Sequence, residues 1–277
     1  MANKIWTLFE IEFKRIQKIY FSLLTMLVLV NAVVFSYLFY LNIKDIEPNL
    51  GYKVSFSALL KERVVREYFR SGDLPQLIYQ LSFFILVGAL IWCLYYGLAI
   101  WYKDFSNKTK PIYTLFMLPE NKFIIFISKL ITMITLIYGV IFVQFLCWIV
   151  MGTIIKSVTG VSFAYMINAI NNSRLEVLMF NIPQVSRMEF IMIFILGPIL
   201  AMTVLFTGIM IHKTVNKIGA LLGALYVISI IMVYLSNTIL YNTYSDVLIK
   251  VHLIFYVVVF VMSIAVSYSS LTKKIYV

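Results

Sequence analysis

Charge is scarce in this chain of 277 residues: 13% are Asp, Glu, Lys or Arg, while 62% are hydrophobic. Ordinary soluble domains carry about 25% charged and about 45–50% apolar residues, so a water-soluble fold is excluded. Cysteine is nearly absent. The two present, Cys93 and Cys147, lie inside apolar runs, which rules out a disulfide framework or a CxxC metal site and leaves the redox compartment unread. The P-loop pattern is missing, because none of the 11 glycines is followed by lysine, and no HExxH pair is present for an intramembrane metalloprotease. His212 and His252 stand at the ends of apolar runs and read as interfacial polar residues rather than ligands. The centres of the long apolar runs hold no Asp, Glu, Lys or Arg, the groups that proton- and ion-coupled transporters keep at mid-membrane. With no nucleophile and base on one face either, no catalytic residue, cofactor or metal is expected in the chain itself.

What is present is long, uninterrupted apolar sequence. Residues 19–43, 74–102, 130–155, 190–212, 218–245 and 251–272 contain no charged residue, and each reaches the roughly 20 residues that a helical crossing needs. A seventh charge-free run, 157–173, contains Asn168, Asn171 and Asn172 with several Ser and Thr, too polar to stand alone in hydrocarbon, and reads as an extramembrane loop. The expectation is an all-α polytopic membrane protein of one membrane domain with six transmembrane helices. Its crossings fall at about 19–43, 76–102, 124–152, 190–211, 218–240 and 251–271, with outer loops at 44–75 and 153–189. No cleavable signal peptide is evident, because the first run is 25 residues long and has no small-residue cleavage site behind it.

The net charge of +11 comes from 23 Lys and Arg against 12 Asp and Glu. These cations lie between apolar runs rather than in a basic stripe with stacking aromatics, so they point to a membrane surface and not to nucleic acid. With both termini cytoplasmic, 13 Lys and Arg fall inside and 10 outside. The outer ones are spread over longer segments and offset by Asp45, Glu47, Glu62, Glu67 and Asp73, a modest positive-inside bias.

Two non-membrane segments carry a pattern. Trp6, Phe9, Phe13, Ile16 and Tyr20 share one helical face, with Lys4, Lys14, Arg15 and Lys18 opposite. Residues 1–18 are therefore expected as an amphipathic interfacial helix on the inner leaflet, the alternative being a longer, tilted first crossing with a charged start. The longest inner loop, 103–123, holds Pro111 and Pro119 around about two turns in which Tyr113, Phe116 and Met117 share a face. A short helix of that kind suits insertion into a groove on a cytosolic subunit.

The interfacial helix, the six crossings, and an inner loop with Asp104, Thr109, a hydrophobic stretch through Leu115 and Leu118, then Pro119 and Lys129, resemble the permease subunits of type-2 ATP-binding cassette (ABC) exporters. The similarity covers most of the chain as architecture and specific residues only over 104–129. It implies that the loop between the second and third crossings forms a cytoplasmic coupling helix docking on an ATPase through Asp104, Lys108, Thr109, Tyr113, Leu115, Phe116 and Pro119, braced by Phe9, Phe13 and Ile16. It also implies two ATPase subunits that hold the ATP and Mg, a second permease chain, the same or different, and a bacterial cytoplasmic membrane. Asn31, Gln76, Gln80, Ser229 and Asn237 become candidates for the pathway wall, with helix-to-helix hydrogen bonds as their other reading. Gly219 and Gly223 form a small-xxx-small pair whose partner is either the chain's own bundle or a second permease.

Residues 241–250 are short where carbohydrate exporters have a re-entrant element, so export of hydrophobic or amphipathic peptides, or immunity to them, fits the resemblance better. A non-transporting scaffold or sensor that binds a cytosolic partner is the alternative from another class.

Overall fold

The computed structural model describes residues 2–50, 74–106, 122–159, 192–215, 218–240 and 245–272. Six helices occupy them: α1 (Ala2–Leu50), α2 (Leu74–Ser106), α3 (Lys122–Thr159), α4 (Gly197–Thr214), α5 (Gly219–Leu240) and α6 (Ser245–Thr272). A π-helical turn, Met192–Leu196, leads into α4, and Pro198 sits in the first turn of α4, where its missing N–H costs nothing. All six are long and apolar enough to cross a membrane, and no strand occurs among the described residues. Of the expected coupling loop, 103–123, residues 103–106 continue α2 and 122–123 open α3, while 107–121 lie outside the described residues.

The first three helices overshoot a bilayer. At 1.5 Å per residue, the 49 residues of α1 extend about 73 Å, against about 30 Å of hydrocarbon. No break separates residues 2–18 from the first crossing: the backbone is one continuous helix from Ala2 to Leu50. Likewise α3 continues to Thr159, beyond the expected end near 152, and α6 begins at Ser245 rather than 251.

The chain gathers into two compact units, and α1, α2 and α3 each contribute to both. The first comprises residues 1–20, 91–138 and 185–277, the second residues 21–90 and 139–184. In the first unit α4 is the central element, buried along most of its length. Its Phe206 meets Trp101 of α2 edge-on at 5.7 Å and Phe126 of α3 at 5.9 Å, an arrangement that aromatic quadrupoles favour. Gly97 of α2 leaves room for the side chains of Met202 and Met133.

The contact of α4 with α5 is backbone against backbone. A Cβ on Gly223 would overlap the Gly208 carbonyl oxygen, and one on Gly219 would overlap that of His212. The small-xxx-small pair of α5 is thus spent inside its own bundle. Lipid tails are as apolar as leucine, so close packing of this kind, rather than hydrophobic burial, drives helices together in a membrane. On the other side of α4, the single hydroxyl proton of Thr207 is shared between the Thr203 carbonyl at 2.7 Å and the Ser263 carbonyl of α6 at 3.1 Å, so Thr207 accepts the 2.9 Å bond from Ser267; Tyr226 of α5 closes the set at 2.7 Å from the Ser263 hydroxyl.

The second unit is pinned by two polar contacts. Asn31 of α1 and Gln144 of α3, both fully buried, exchange amide hydrogen bonds of 3.0 and 3.1 Å. Trp148 of α3 donates to the Ser82 hydroxyl of α2 at 2.6 Å and packs edge-on against Tyr79. The Asn31, Gln144 and Trp148 donors thus find acceptors, as an apolar surround demands, whereas the buried Tyr79 hydroxyl has none.

Candidate functional site

Four charged side chains from three helices converge in the first unit. Glu12 and Arg15 lie one turn apart on α1, Asp104 two residues before the last residue of α2, and Lys129 two turns into α3. The Lys129 ammonium donates to Glu12 Oε1 and to Asp104 Oδ2, both at 2.5 Å. The other oxygen of Asp104 accepts from Arg15 Nη1 at 3.0 Å, and Arg15 also lies 3.7 Å from Glu12 Oε2. Lys129 and Asp104 are each 1% exposed and Glu12 is 9% exposed. Only Arg15 reaches solvent, with a third of its side chain accessible.

The electrostatics explain why the set is complete. An aspartate at a helix C-terminus faces the negative end of the macrodipole, so Asp104 is stable there only beside cations. A buried ammonium loses several kcal/mol of hydration on the scale of about 20 kcal/mol for the ideal ion, and two carboxylates at contact distance offset it. Lys129 also stands 5.3 Å from the centroid of the Trp101 ring, whose negative face adds to the compensation. Two positive and two negative groups leave the cluster neutral.

Each of the four charged groups has an opposite charge within 4 Å, which makes the arrangement a clamp, although Glu12 Oε2 is buried with no hydrogen bond and only the 3.7 Å approach of Arg15. Among the described residues, no three His, Cys, Asp or Glu side chains are grouped to hold a metal. The clamp fastens the two helix ends that flank residues 107–121 to each other and to α1.

The residues expected from sequence are placed unevenly. Asp104 is in the cluster. Lys108, Thr109, Tyr113, Leu115, Phe116 and Pro119 lie outside the described residues. Of the brace, Ile16 is fully buried, and Phe9 and Phe13 are half-buried and stack on one another at 5.8 Å. Arg15, read from the sequence as part of the charged face opposite the apolar one, is turned to Asp104, because a buried carboxylate binds it more strongly than a screened surface does. Asn31 is committed to Gln144 and to the Leu27 carbonyl, the helix-to-helix reading of that residue. Gln80 and Asn237 are half-buried and Ser229 is exposed, while the side chain of Gln76 lies outside the described set.

Sequence reasoning missed Glu12 and the burial of Lys129. A signal existed for the first: Glu12 follows Phe9 by three residues and precedes Ile16 by four, which puts a carboxylate on the apolar face of the helix. No protein-family model matches the chain, and neither does any curated protein or solved structure.

Proposed function

We propose that the chain is the transmembrane subunit of an ABC-type exporter, driven by separate ATPase subunits docked at residues 107–121. The observation that supports this reading best is the buried ionic clamp at the roots of that segment. A loop that only joins two crossings needs no such fastening; a loop pushed by a partner does, because a push is transmitted only through elements that do not slide. The absence of charge from the run centres and of a P-loop from the sequence fits an energy source in another protein. In this reading the unit has two permease chains and two ATPases carrying ATP and Mg, both termini are cytoplasmic, and the cargo is a hydrophobic or amphipathic peptide.

The test is reconstitution with a P-loop ATPase encoded in the neighbouring reading frame. Co-purification of that ATPase and peptide-stimulated ATP turnover are expected, and replacing Phe116 and Pro119 by alanine should release the ATPase while the six-helix protein still inserts. Binding of a partner without any change in ATP turnover would favour the scaffold. Uphill transport by the isolated chain would refute the reading.

A further inference from the structure

An open groove of about 330 Å³ runs between the ends of α2, α4 and α5. Small residues make it: Gly208 and Gly223 let α4 and α5 meet at their backbones and form its floor, and Ala220 and Ala224 on α5 leave space above them that larger side chains would fill. Its walls, including Leu98, Leu205 and Ile228, are apolar, and it lies at the lower end of the roughly 300–1,000 Å³ typical of ligand sites. The α5 residues beside it, Leu221, Leu225 and Ile228, are each about half exposed or more, so the groove opens on the surface that hydrocarbon covers in a membrane.

One end of the groove is polar. Tyr102 and His212 line it there, with ring centroids 6.1 Å apart. The ammonium of Lys213 is held 5.7 Å from the Tyr102 ring and 4.8 Å from that of Phe105, and it has no carboxylate partner among the described residues. His212 Nδ1 is buried without a hydrogen-bond partner. This end coincides with the last residues of α2 and α4, where a helix leaves hydrocarbon. From Ala220 to Ile228 the groove follows α5 for about 12 Å, so an apolar chain lying in it points into the membrane and a charged head stays at the edge.

We propose that this groove holds one membrane lipid with a net negative headgroup, its acyl chain along α5 and its phosphate at Lys213 and His212. The occupant is a lipid because only the bilayer supplies an apolar chain from that side. It is anionic because the fixed charge beside the lining residue Tyr102 is Lys213, which has no carboxylate partner among the described residues. An aromatic-held ammonium loses little side-chain freedom on gaining a phosphate.

The test uses the full chain purified in neutral detergent and supplied with phosphatidylglycerol or phosphatidylcholine of one chain length, bound lipid being counted by native mass spectrometry. The wild type should retain phosphatidylglycerol over phosphatidylcholine by about fivefold, the worth of one lysine at a lipid surface. Lys213→Gln should erase that preference, and Lys250→Gln, at the opposite end of its apolar run, should keep it. Ala224→Leu fills the groove and should lower retention of both lipids roughly tenfold, with Ala220→Leu testing the same space one turn earlier should the first variant unfold. Equal retention of the two lipids by the wild type, a preference that survives Lys213→Gln, or undiminished binding in the filled variants would overturn the proposal. So would a change in oligomeric state on filling the groove, which would show that a protein helix occupies it.

Discussion

Replacing Lys129 by methionine keeps most of the side-chain volume and removes the one group that touches both buried carboxylates. Asp104 retains Arg15, but Glu12 is left 9% exposed with only the 3.7 Å approach of Arg15. Breaking a buried pair by deleting one partner costs about 3–5 kcal/mol, because the remaining charge is uncompensated. At roughly 2–4 °C per kcal/mol for a chain approaching this size, the melting temperature in detergent should fall by about 10 °C. The triple variant Glu12→Gln, Asp104→Asn, Lys129→Met separates charge from packing. It removes both carboxylates along with the ammonium, leaving only the partly exposed Arg15 charged, and should recover most of the lost stability, as neutral replacements of buried ion pairs do. The assay is thermal unfolding in a neutral detergent, followed by near-ultraviolet absorbance or fluorescence of Trp101, which sits against Lys129. A Lys129→Met protein within about 1 kcal/mol of wild type would refute the reasoning, as would a triple variant no better than the single one.

Three other outcomes follow. Gly223→Leu should prevent α4 and α5 from meeting and abolish the folded monodisperse protein on size exclusion, whereas Gly88→Ala, which would meet nothing within 4 Å, should be silent. Asn31→Leu should destabilise by about 1–3 kcal/mol by stranding the Gln144 amide, and adding Gln144→Leu should return most of it, measured as a double-mutant cycle in detergent unfolding. Because a third of its side chain is in solvent, Arg15→Ala should cost less than Lys129→Met, and its effect should shrink between low and high salt while that of Lys129→Met persists.

The crossings were legible in the sequence because a bilayer imposes a local rule: a run without charge and about 20 residues long needs no knowledge of its neighbours. The start and end of α5, Gly219–Leu240, fall within a residue of the expected 218–240 for that reason. The continuity of the N-terminal segment with the first crossing was not legible, for the converse reason. Five charges between Glu10 and Lys18 argue against membrane depth only if each faces its surroundings alone. Arg15 and Glu12 instead find partners 89 and 117 residues away, which no local periodicity records. The glycine pair was legible as a close-packing face, but not its partner, since a small residue announces that something approaches and not what does.

The position of the clamp matters as much as its strength. An apolar contact between helices tolerates a slide of a residue or so, because one methyl group substitutes for another. A carboxylate shared between an ammonium and a guanidinium does not: moving Asp104 by one residue, about 1.5 Å along α2, forfeits both bonds at once. The cluster therefore fixes the registers of α1, α2 and α3 at one place, two residues from the end of α2 and seven from the start of α3. A helix fixed in register moves as a rod rather than slipping past its neighbour. A buried group of formal charges costs stability that an apolar patch would not, and what it supplies in return is this intolerance of slippage.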